Sequence, residues 1–543
     1  MSALIRPARL EIVGRPASPG LARGPVHILE ETTVRDVHAG TSAQERTRLL
    51  EAIAAAAAEV ADLIAGVDDE EAAAILEFQL AMLEDDALIA DALPVIDGGA
   101  PALVAFQDAM ADVAAGYRTG DDEYFQARAS DIEDLAERVI AHLTGAETGA
   151  IELPPGGILL ARDLTPSRFL STDWSGGRAI ALFEGSPTAH VAILARSRGV
   201  PMAVGFGTLK ITGHAAALLD GETGRLVLSP DADDEAGHHA LTASADEIRT
   251  VEQRLARRQA VTADGTPIKV MINAGDPGEL DALDPALCDG IGLVRTEFLF
   301  HGRRGLPTED DQLAAYRRIL TWAEGRPVTF RTLDAGGDKP IAGLTREESN
   351  PFLGLRGIRL SLARPDVFRV QVRALLRAAA EGEMLVMAPM VALPAEMQAV
   401  TDLFVEEAAA LRRAGLAHAI PPLGMMVEVP AVALTLDLFD VDFVSIGSND
   451  LTQYVMAASR DATGLAGLDD AGVEAVQRMI RMVVSSGAEL GVPVSLCGDA
   501  GSDTRVLPKL LAAGLRSISV APAQVGRVKR VIADWRADGG PDG

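Results

Sequence analysis

Aromatic side chains are scarce in this chain of 543 residues, where Phe, Trp and Tyr together make up 4%. Any core must therefore be built from Ala, Leu, Val and Ile, which the hydrophobic fraction of 48% can supply. There are two cysteines, Cys288 and Cys497, far apart in the chain. A disulfide framework is not expected, and the cytoplasm is the expected location. No apolar run approaches the roughly 20 residues that span a bilayer. The N-terminus lacks a basic stretch leading into an apolar one, so no signal peptide is expected. Positive charge is also in deficit. The net charge of −29 argues against nucleic acid and anionic membranes as partners. The deficit is concentrated between Glu45 and Arg138, where 23 Asp or Glu face 5 Arg and no Lys. That segment reads either as a solubilising surface or as a docking face for a basic partner.

At roughly 100–200 residues per domain, the length allows two to four domains. Residues 7–30 read as two short strands around Pro19-Gly, the first at Leu10-Glu-Ile-Val. Residues 41–145 change to Ala, Leu and Glu at helical spacing, with Ser42 and Asp121 as candidate caps. Short apolar strands return over 152–230, beginning at Gly157, Ala179, Ala215 and Leu226, with one helix among them near Thr188–Arg198. The early strands are expected to pair with these later ones around the helical insert. This gives an α/β domain from 1–35 and 146–232, an all-helical insert over 36–145, and a polar linker helix over 233–260. From 261 to 543 strand and helix alternate. Strand candidates begin at Lys269, Gly292, Val328, Met384, Leu423, Phe443, Val494 and Ser517, with a further short element near Gly357-Ile-Arg359. Some eight βα units predict a (β/α)8 TIM barrel. No Gly-x-Gly-x-x-Gly follows a first strand, as a dinucleotide-binding sheet would require.

Barrel chemistry sits at the C-terminal ends of the strands, and polar residues collect there. These ends carry Arg295-Thr-Glu297, Arg331-Thr-Leu-Asp334 with Lys339, Arg356, Glu428, Asn449-Asp450 and Cys497-Gly-Asp499, with Arg460 downstream. Arginine forks suit phosphate and carboxylate oxygens, and paired carboxylates suit magnesium. The inferred ligand is small, bears phosphate and carboxylate, and is metal-bound. Cys497 is open to two readings, an inert buried thiol or a proton donor in the same mouth. In the N-terminal half, Gly185-Ser-Pro-Thr-Ala-His190 places a histidine in the first turn of a helix. A helix N-terminus favours a phosphoryl dianion carried on that imidazole, and Asp163-Leu-Thr165, at the end of a strand, could hydrogen-bond the ring.

These segments together resemble Enzyme I of the bacterial phosphotransferase system, a phosphoenolpyruvate–protein phosphotransferase, over nearly the whole chain. The resemblance is carried by Ala17-Ser-Pro-Gly, Asp121-Asp-Glu-Tyr-Phe, the His190 motif and the barrel motifs. These are Arg331-Thr-Leu-Asp-Ala-Gly-Gly-Asp-Lys339, Asn350-Pro-Phe-Leu-Gly-Leu-Arg356, Gly424-Met-Met-Val-Glu428 and Ser445-Ile-Gly-Ser-Asn449-Asp-Leu-Thr-Gln-Tyr454. It implies that His190 is the phospho-acceptor and that Arg295, Arg331, Arg356 and Arg460 grip phosphoenolpyruvate, with Asn449 on the phosphoryl group. It further implies that Glu428 and Asp450 hold Mg2+, and that Cys497 protonates the enolate as pyruvate forms. The insert would bind the histidine-bearing carrier HPr, the first step of sugar uptake, and the barrel would form a homodimer. A departure is Gly185-Ser186 where the family often has Gly-Gly. A pyruvate phosphate dikinase-type enzyme is disfavoured, because the chain has neither room for an ATP-binding domain nor a Gly-rich Walker pattern. A regulatory relative acting on a nitrogen-linked carrier and a catalytically silent scaffold are the remaining alternatives.

Overall fold

The computed structural model describes residues 8–29, 40–65, 70–118, 123–145, 150–187, 189–207, 214–300, 305–337, 339–341, 343–346, 348–459, 467–468 and 470–537. The chain divides into two compact units, Met1–Ala245 and Asp246–Gly543.

The first unit opens with strands β1 (Leu10–Val13), β2 (Arg15–Ser18) and β3 (Leu21–Ile28). After the insert come β4 (Ile158–Ala161), β5 (Ala179–Leu182), β6 (Met202–Val204), β7 (Ala216–Asp220) and β8 (Arg225–Leu228). They form one sheet in the order β1-β8-β7-β3-β4-β5-β6-β2. As expected, the early strands pair with the late ones: β1 lies antiparallel to β8, and β3 lies between β7 and β4. Strands β2 and β6 were not expected. β6 is only three residues long, and β2 contains Pro16, which cannot donate to a ladder; both sit at one end of the sheet and pair with each other.

The insert consists of helices α1 (Ser42–Ala65), α2 (Glu70–Leu83), α3 (Ala92–Asp97), α4 (Ala102–Arg118) and α5 (Glu123–Thr144). Leu49, Val60, Ile96, Phe106, Leu135 and Val139 lie in its core. The cap of α1 is one residue earlier than the sequence suggested: Ser42 is already helical, and the Thr41 N–H donates to Gln44 Oε1 at 2.8 Å. Asp121 lies outside the described residues. The insert is tied to the α/β part through Asp134, buried on α5. Its Oδ2 accepts from Gln79 Nε2 at 2.9 Å and from Ser167 Oγ at 2.5 Å. Ser167 sits on α6 (Pro166–Ser171), a short helix capped by Thr165 and not anticipated from sequence. Next follows α7 (His190–Ser197), whose Val191, Ala192, Leu194 and Ala195 are buried in a core with Ile180, Leu182 and Met202.

The predicted polar helix is α8 (Ala232–Ala256), and the division between the units falls inside it. Asp233, Asp234 and Glu235 occupy its first turn, where acid is favoured by the helix dipole. Asp234 is held there by Arg9 Nε at 2.6 Å and Arg225 Nη2 at 3.1 Å. Within the second unit, the last turn of α8 is fixed by Lys529, whose Nζ donates to the carbonyls of Ala256, Arg258 and Leu287.

The second unit begins with a two-residue strand, β9 (Ala260–Val261). It lies antiparallel to β10 (Pro267–Ala274). β10 then starts a closed ring with β11 (Ile291–Val294), β12 (Val328–Arg331), β13 (Met384–Ala388), β14 (Leu423–Val427), β15 (Phe443–Gly447), β16 (Val494–Cys497) and β17 (Ser517–Val520). All eight neighbouring pairs are parallel, including β10 with β17. The expected TIM barrel is therefore present. Its helices are α9 (Glu309–Ala323), α10 (Ile358–Ala363), α11 (Pro365–Ala378), α12 (Pro394–Arg413), α13 (Pro430–Leu434), α14 (Ser448–Met456), α15 (Glu474–Leu490), α16 (Leu507–Ala512) and α17 (Val525–Asp534). The short element expected near Gly357-Ile-Arg359 is the start of α10.

Strand alternation sorts the barrel core into two layers. Outward-facing residues such as Val294, Phe330, Val386, Val427, Ile446 and Leu496 pack in the large core with the helices. Leu293, Leu385, Met387, Met426, Phe443 and Cys497 form a separate inner cluster. Arg331 lies in step with Thr329, Glu428 with Met426, and Cys497 with Ser495. The same period that builds the inner layer therefore delivers polar side chains at the strand ends.

Candidate active site

Arg331 ends β12 and is 4% exposed. Its Nη2 donates to Glu297 Oε1 at 3.0 Å, and its Nη1 lies 3.0 Å from Asp334 Oδ2. Arg331 Nε, Glu297 Oε2 and Thr332 Oγ1 are buried without a hydrogen-bond partner among the described residues. Arg356 is completely buried between two carboxylates. Nε and Nη2 donate to the two oxygens of Asp334, each at 3.1 Å. Nη1 and Nη2 donate to the two oxygens of Asp450 at 2.8 and 3.2 Å, and Nη1 also reaches the Tyr454 hydroxyl at 3.5 Å. A guanidinium has five N–H donors, and these five contacts use all of them. Lys339 Nζ donates to Asp334 Oδ2 at 3.3 Å. Burial works against the Asp334 carboxylate, yet Arg331, Lys339 and Arg356 together hold its pKa below the ordinary carboxylate range.

Glu428 directly follows β14 and accepts the Met390 N–H on Oε1 at 2.7 Å. Burial, reinforced by the neighbouring Asp450 and Asp334 carboxylates, pushes its carboxyl up to about 8. Among the described residues no group of three or more His, Cys, Asp or Glu side chains could hold a metal ion. Glu428 and Asp450 are nevertheless two hard oxygen donors, near enough that the Asp450 carboxylate contributes to the raised Glu428 pKa. That matches a cation such as magnesium, which takes few protein carboxylates and completes its shell with water and substrate oxygens.

Asn449 lies in the first turn of α14 and is locked to Asp499 reciprocally. Its Nδ2 donates to Asp499 Oδ2, and its Oδ1 accepts the Asp499 N–H, both at 3.0 Å. Cys497, 2% exposed, lies among the inner apolar residues. Its sulfur accepts from Ser445 Oγ at 3.4 Å, and the thiol donates to the Ile446 carbonyl at 3.7 Å. Burial pushes the thiol up to about 11, with Ser445 pulling the other way. Gly498 follows with φ +106°, and a Cβ there would come 2.4 Å from Ser448 Oγ, so the chain needs glycine at this turn. Arg295 follows β11 and is exposed. Arg460 lies outside the described residues.

His190 is half-buried at the first position of α7, as expected from the turn before it. That turn is held from the far end of the helix. Arg196 Nη1 donates to the Pro187 carbonyl at 2.8 Å and to the Ala17 carbonyl at 2.7 Å, tying the His190 segment to the Ala17-Ser-Pro-Gly segment. Thr165 is engaged as the cap of α6, and Asp163 accepts the N–H of its own neighbour Leu164 at 2.8 Å. Thr188 lies outside the described residues.

Some supporting residues were not singled out from sequence. Ser445 touches the thiol. Gln371 accepts the Leu333 N–H at 3.0 Å and donates to Thr296 Oγ1 at 3.1 Å and the Tyr316 hydroxyl at 3.3 Å, bracing the segment after β12. Ser445 carried a signal, since it shares the inward phase of Phe443 on β15. Gln371, in the middle of α11, carried none.

Arginines and carboxylates gathered at one end of a parallel barrel, in a chain whose first unit carries a histidine at a helix start, fit a phosphoryl-transfer class of enzyme. The family models agree along the chain. PEP-utilising enzyme, PEP-binding domain, matches residues 249–537; the N-terminal model matches 13–128 and the mobile domain 153–224. The chain is 36% identical over 535 residues to a phosphoenolpyruvate-protein phosphotransferase of Geobacillus stearothermophilus, covering 95% of this chain and 91% of that one. It is 34% identical over 538 residues to the protein of that name from Priestia megaterium, covering 96% and 93%. It is also 36% identical over 528 residues to a multiphosphoryl transfer protein of Rhodobacter capsulatus, covering 95% of this chain and 63% of that one. The chain belongs to the phosphoenolpyruvate–protein phosphotransferase family.

Proposed function

We propose that this protein transfers the phosphoryl group of phosphoenolpyruvate to its own His190 and then to a histidine of an HPr-like carrier, releasing pyruvate. The observation that carries the reading is the convergence of Arg331, Arg356, Asp334, Glu428, Asp450 and Cys497 at one end of the barrel. Arg295, Arg331 and Arg460 would neutralise phosphate and carboxylate charge; Arg356, expected from the resemblance to grip the substrate, has its N–H groups on Asp334, Asp450 and Tyr454 and would instead orient those carboxylates. Asn449, held by Asp499, would contact the phosphoryl group. Glu428 and Asp450 would hold Mg2+, which neutralises charge on phosphate oxygens when bound. The His190 imidazole attacks phosphorus as the bond to the enolate oxygen breaks. The enolate carbon takes the Cys497 thiol proton to become pyruvate, and solvent returns a proton to the thiolate.

The acidic helical insert is suited to receive a basic carrier. A homodimer through the barrel is favoured by exposed Leu434, Leu438 and Met482, on or beside α13 and α15, which pack together. No helix among the described residues is long and apolar enough to cross a membrane, and a cytoplasmic setting suits the free thiols. Incubation with labelled phosphoenolpyruvate and magnesium tests the central claim. The expected product is an acid-labile, base-stable phosphoprotein that vanishes in His190→Ala; label persisting in that variant would sink it.

A further inference from the structure

We propose that Asp334 is a positioning residue for phosphoenolpyruvate. Its carboxylate fixes the Arg331 and Arg356 guanidinium planes and the Lys339 ammonium in one arrangement. This inference rests on the phosphoenolpyruvate reading above and adds a residue to it.

The backbone of Asp334 is held before its side chain acts. Its N–H donates to Glu297 Oε1 at 2.8 Å, and the preceding Leu333 N–H donates to Gln371 Oε1 at 3.0 Å. The carboxylate is completely buried. Oδ2 lies 3.0 Å from Arg331 Nη1, 3.1 Å from Arg356 Nη2 and 3.3 Å from Lys339 Nζ, so three cations converge on one oxygen. Oδ1 takes the remaining bond, from Arg356 Nε at 3.1 Å. The close packing depends on two glycines. A Cβ at Gly336 would come 2.7 Å from the Leu355 carbonyl, and one at Gly357 2.8 Å from Met390 Cβ. Of the three cations, Lys339 alone has substantial exposure, 27% of its side chain. Arg331 keeps a buried Nε without a partner among the described residues.

Two physical roles for this carboxylate predict opposite signs. If Asp334 were only a negative charge near an anion site, removing the charge would relieve repulsion and tighten binding of the phosphate. If it orients the cations, removing it frees two planar forks and an ammonium, and binding weakens. Bidentate contact in a buried setting fixes the plane of Arg356 as well as its charge, which favours the second role.

The test is calorimetric titration of the full-length protein with phosphoenolpyruvate and magnesium. Wild type is compared with Asp334→Asn and with the double variant Asp334→Asn, Lys339→Met, which removes a positive charge along with the negative one. Positioning predicts a Kd raised by about tenfold or more in both variants, the loss of a charge-assisted contact set. It also predicts that the Arg331 and Arg356 Nε–H signals lose protection from exchange while the Met387 and Met426 methyl signals keep their positions. Unchanged or tighter binding by Asp334→Asn overturns the proposal, as does wild-type affinity in the double variant. Loss of methyl dispersion in both variants also overturns it, in favour of a purely structural carboxylate. Failure of the wild type itself to bind phosphoenolpyruvate is a distinct result: it removes the underlying reading and this proposal with it.

Discussion

Arg356 meets Asp450 edge to edge, Nη1 to Oδ1 at 2.8 Å and Nη2 to Oδ2 at 3.2 Å, while its other edge grips Asp334. Removing one partner of a buried ion pair leaves a charge without compensation, at about 3–5 kcal/mol. Arg356→Met should therefore destabilise the barrel unit by that order in urea unfolding and abolish phosphoenolpyruvate-dependent labelling of His190. A full-strength label from a barrel of wild-type stability would refute this assignment.

The Cys497 thiol gives a prediction with a sign. Its pKa rises from an ordinary 9.0 to about 11 through burial, so between those values the unfolded chain has lost the proton and the folded one keeps it. Here the folded state binds more protons, and stability falls as pH rises, by at most about 1.4 kcal/mol per unit. Below 9 the contribution is flat. Thermal unfolding across pH 7 to 10.5, for wild type beside Cys497→Ala, should show the variant with the shallower alkaline decline; parallel curves would mean that the thiol titrates normally.

The same thiol should remain a competent acid through the neutral range. Cys497→Ala should slow pyruvate formation by roughly 100- to 10,000-fold, the usual span for a general acid. Transfer from a phosphorylated carrier to His190 should be untouched. Rapid-quench measurement of both half-reactions separates the two, and equal slowing of both would demote Cys497 to packing.

Arg196 ties the Pro187 and Ala17 carbonyls. Arg196→Met should loosen the turn ahead of His190, at about 1.5–3 kcal/mol for each lost charge-assisted bond at most. Slower phosphorylation of His190 from either donor is expected. An unaltered rate would limit Arg196 to holding β2.

A fragment of residues 1–260 retains the sheet, the insert and most of the contacts that root α8 in the first unit. It should exchange phosphoryl groups with a phosphorylated carrier and ignore phosphoenolpyruvate. Labelling of that fragment by phosphoenolpyruvate would place the donor site outside the barrel.

The barrel was legible in the sequence because each of its eight strands is a short apolar run bounded by turn residues, and Val328–Arg331 matches its predicted range residue for residue. The short element near Gly357-Ile-Arg359, whose type the sequence left open, is the helix Ile358–Ala363. β2 went unread because it holds Pro16, and α6 because six residues are too few to display a helical period. At the site, strand-end polar residues were visible from alternation alone. What could not be read was who pairs with whom. The Arg356–Asp450 contact joins residues 94 positions apart and depends on ring closure, which no local pattern encodes.

Position 356 illustrates how little freedom a closed contact set leaves to mutational drift. Lysine preserves the charge but offers three donors from a single point, where five now leave a plane in fixed directions. Two buried carboxylates would then compete for one ammonium. The substitution that a simple exchange table ranks as mildest is thus among the least tolerable here. Change at this barrel mouth would have to come in coordinated pairs or not at all.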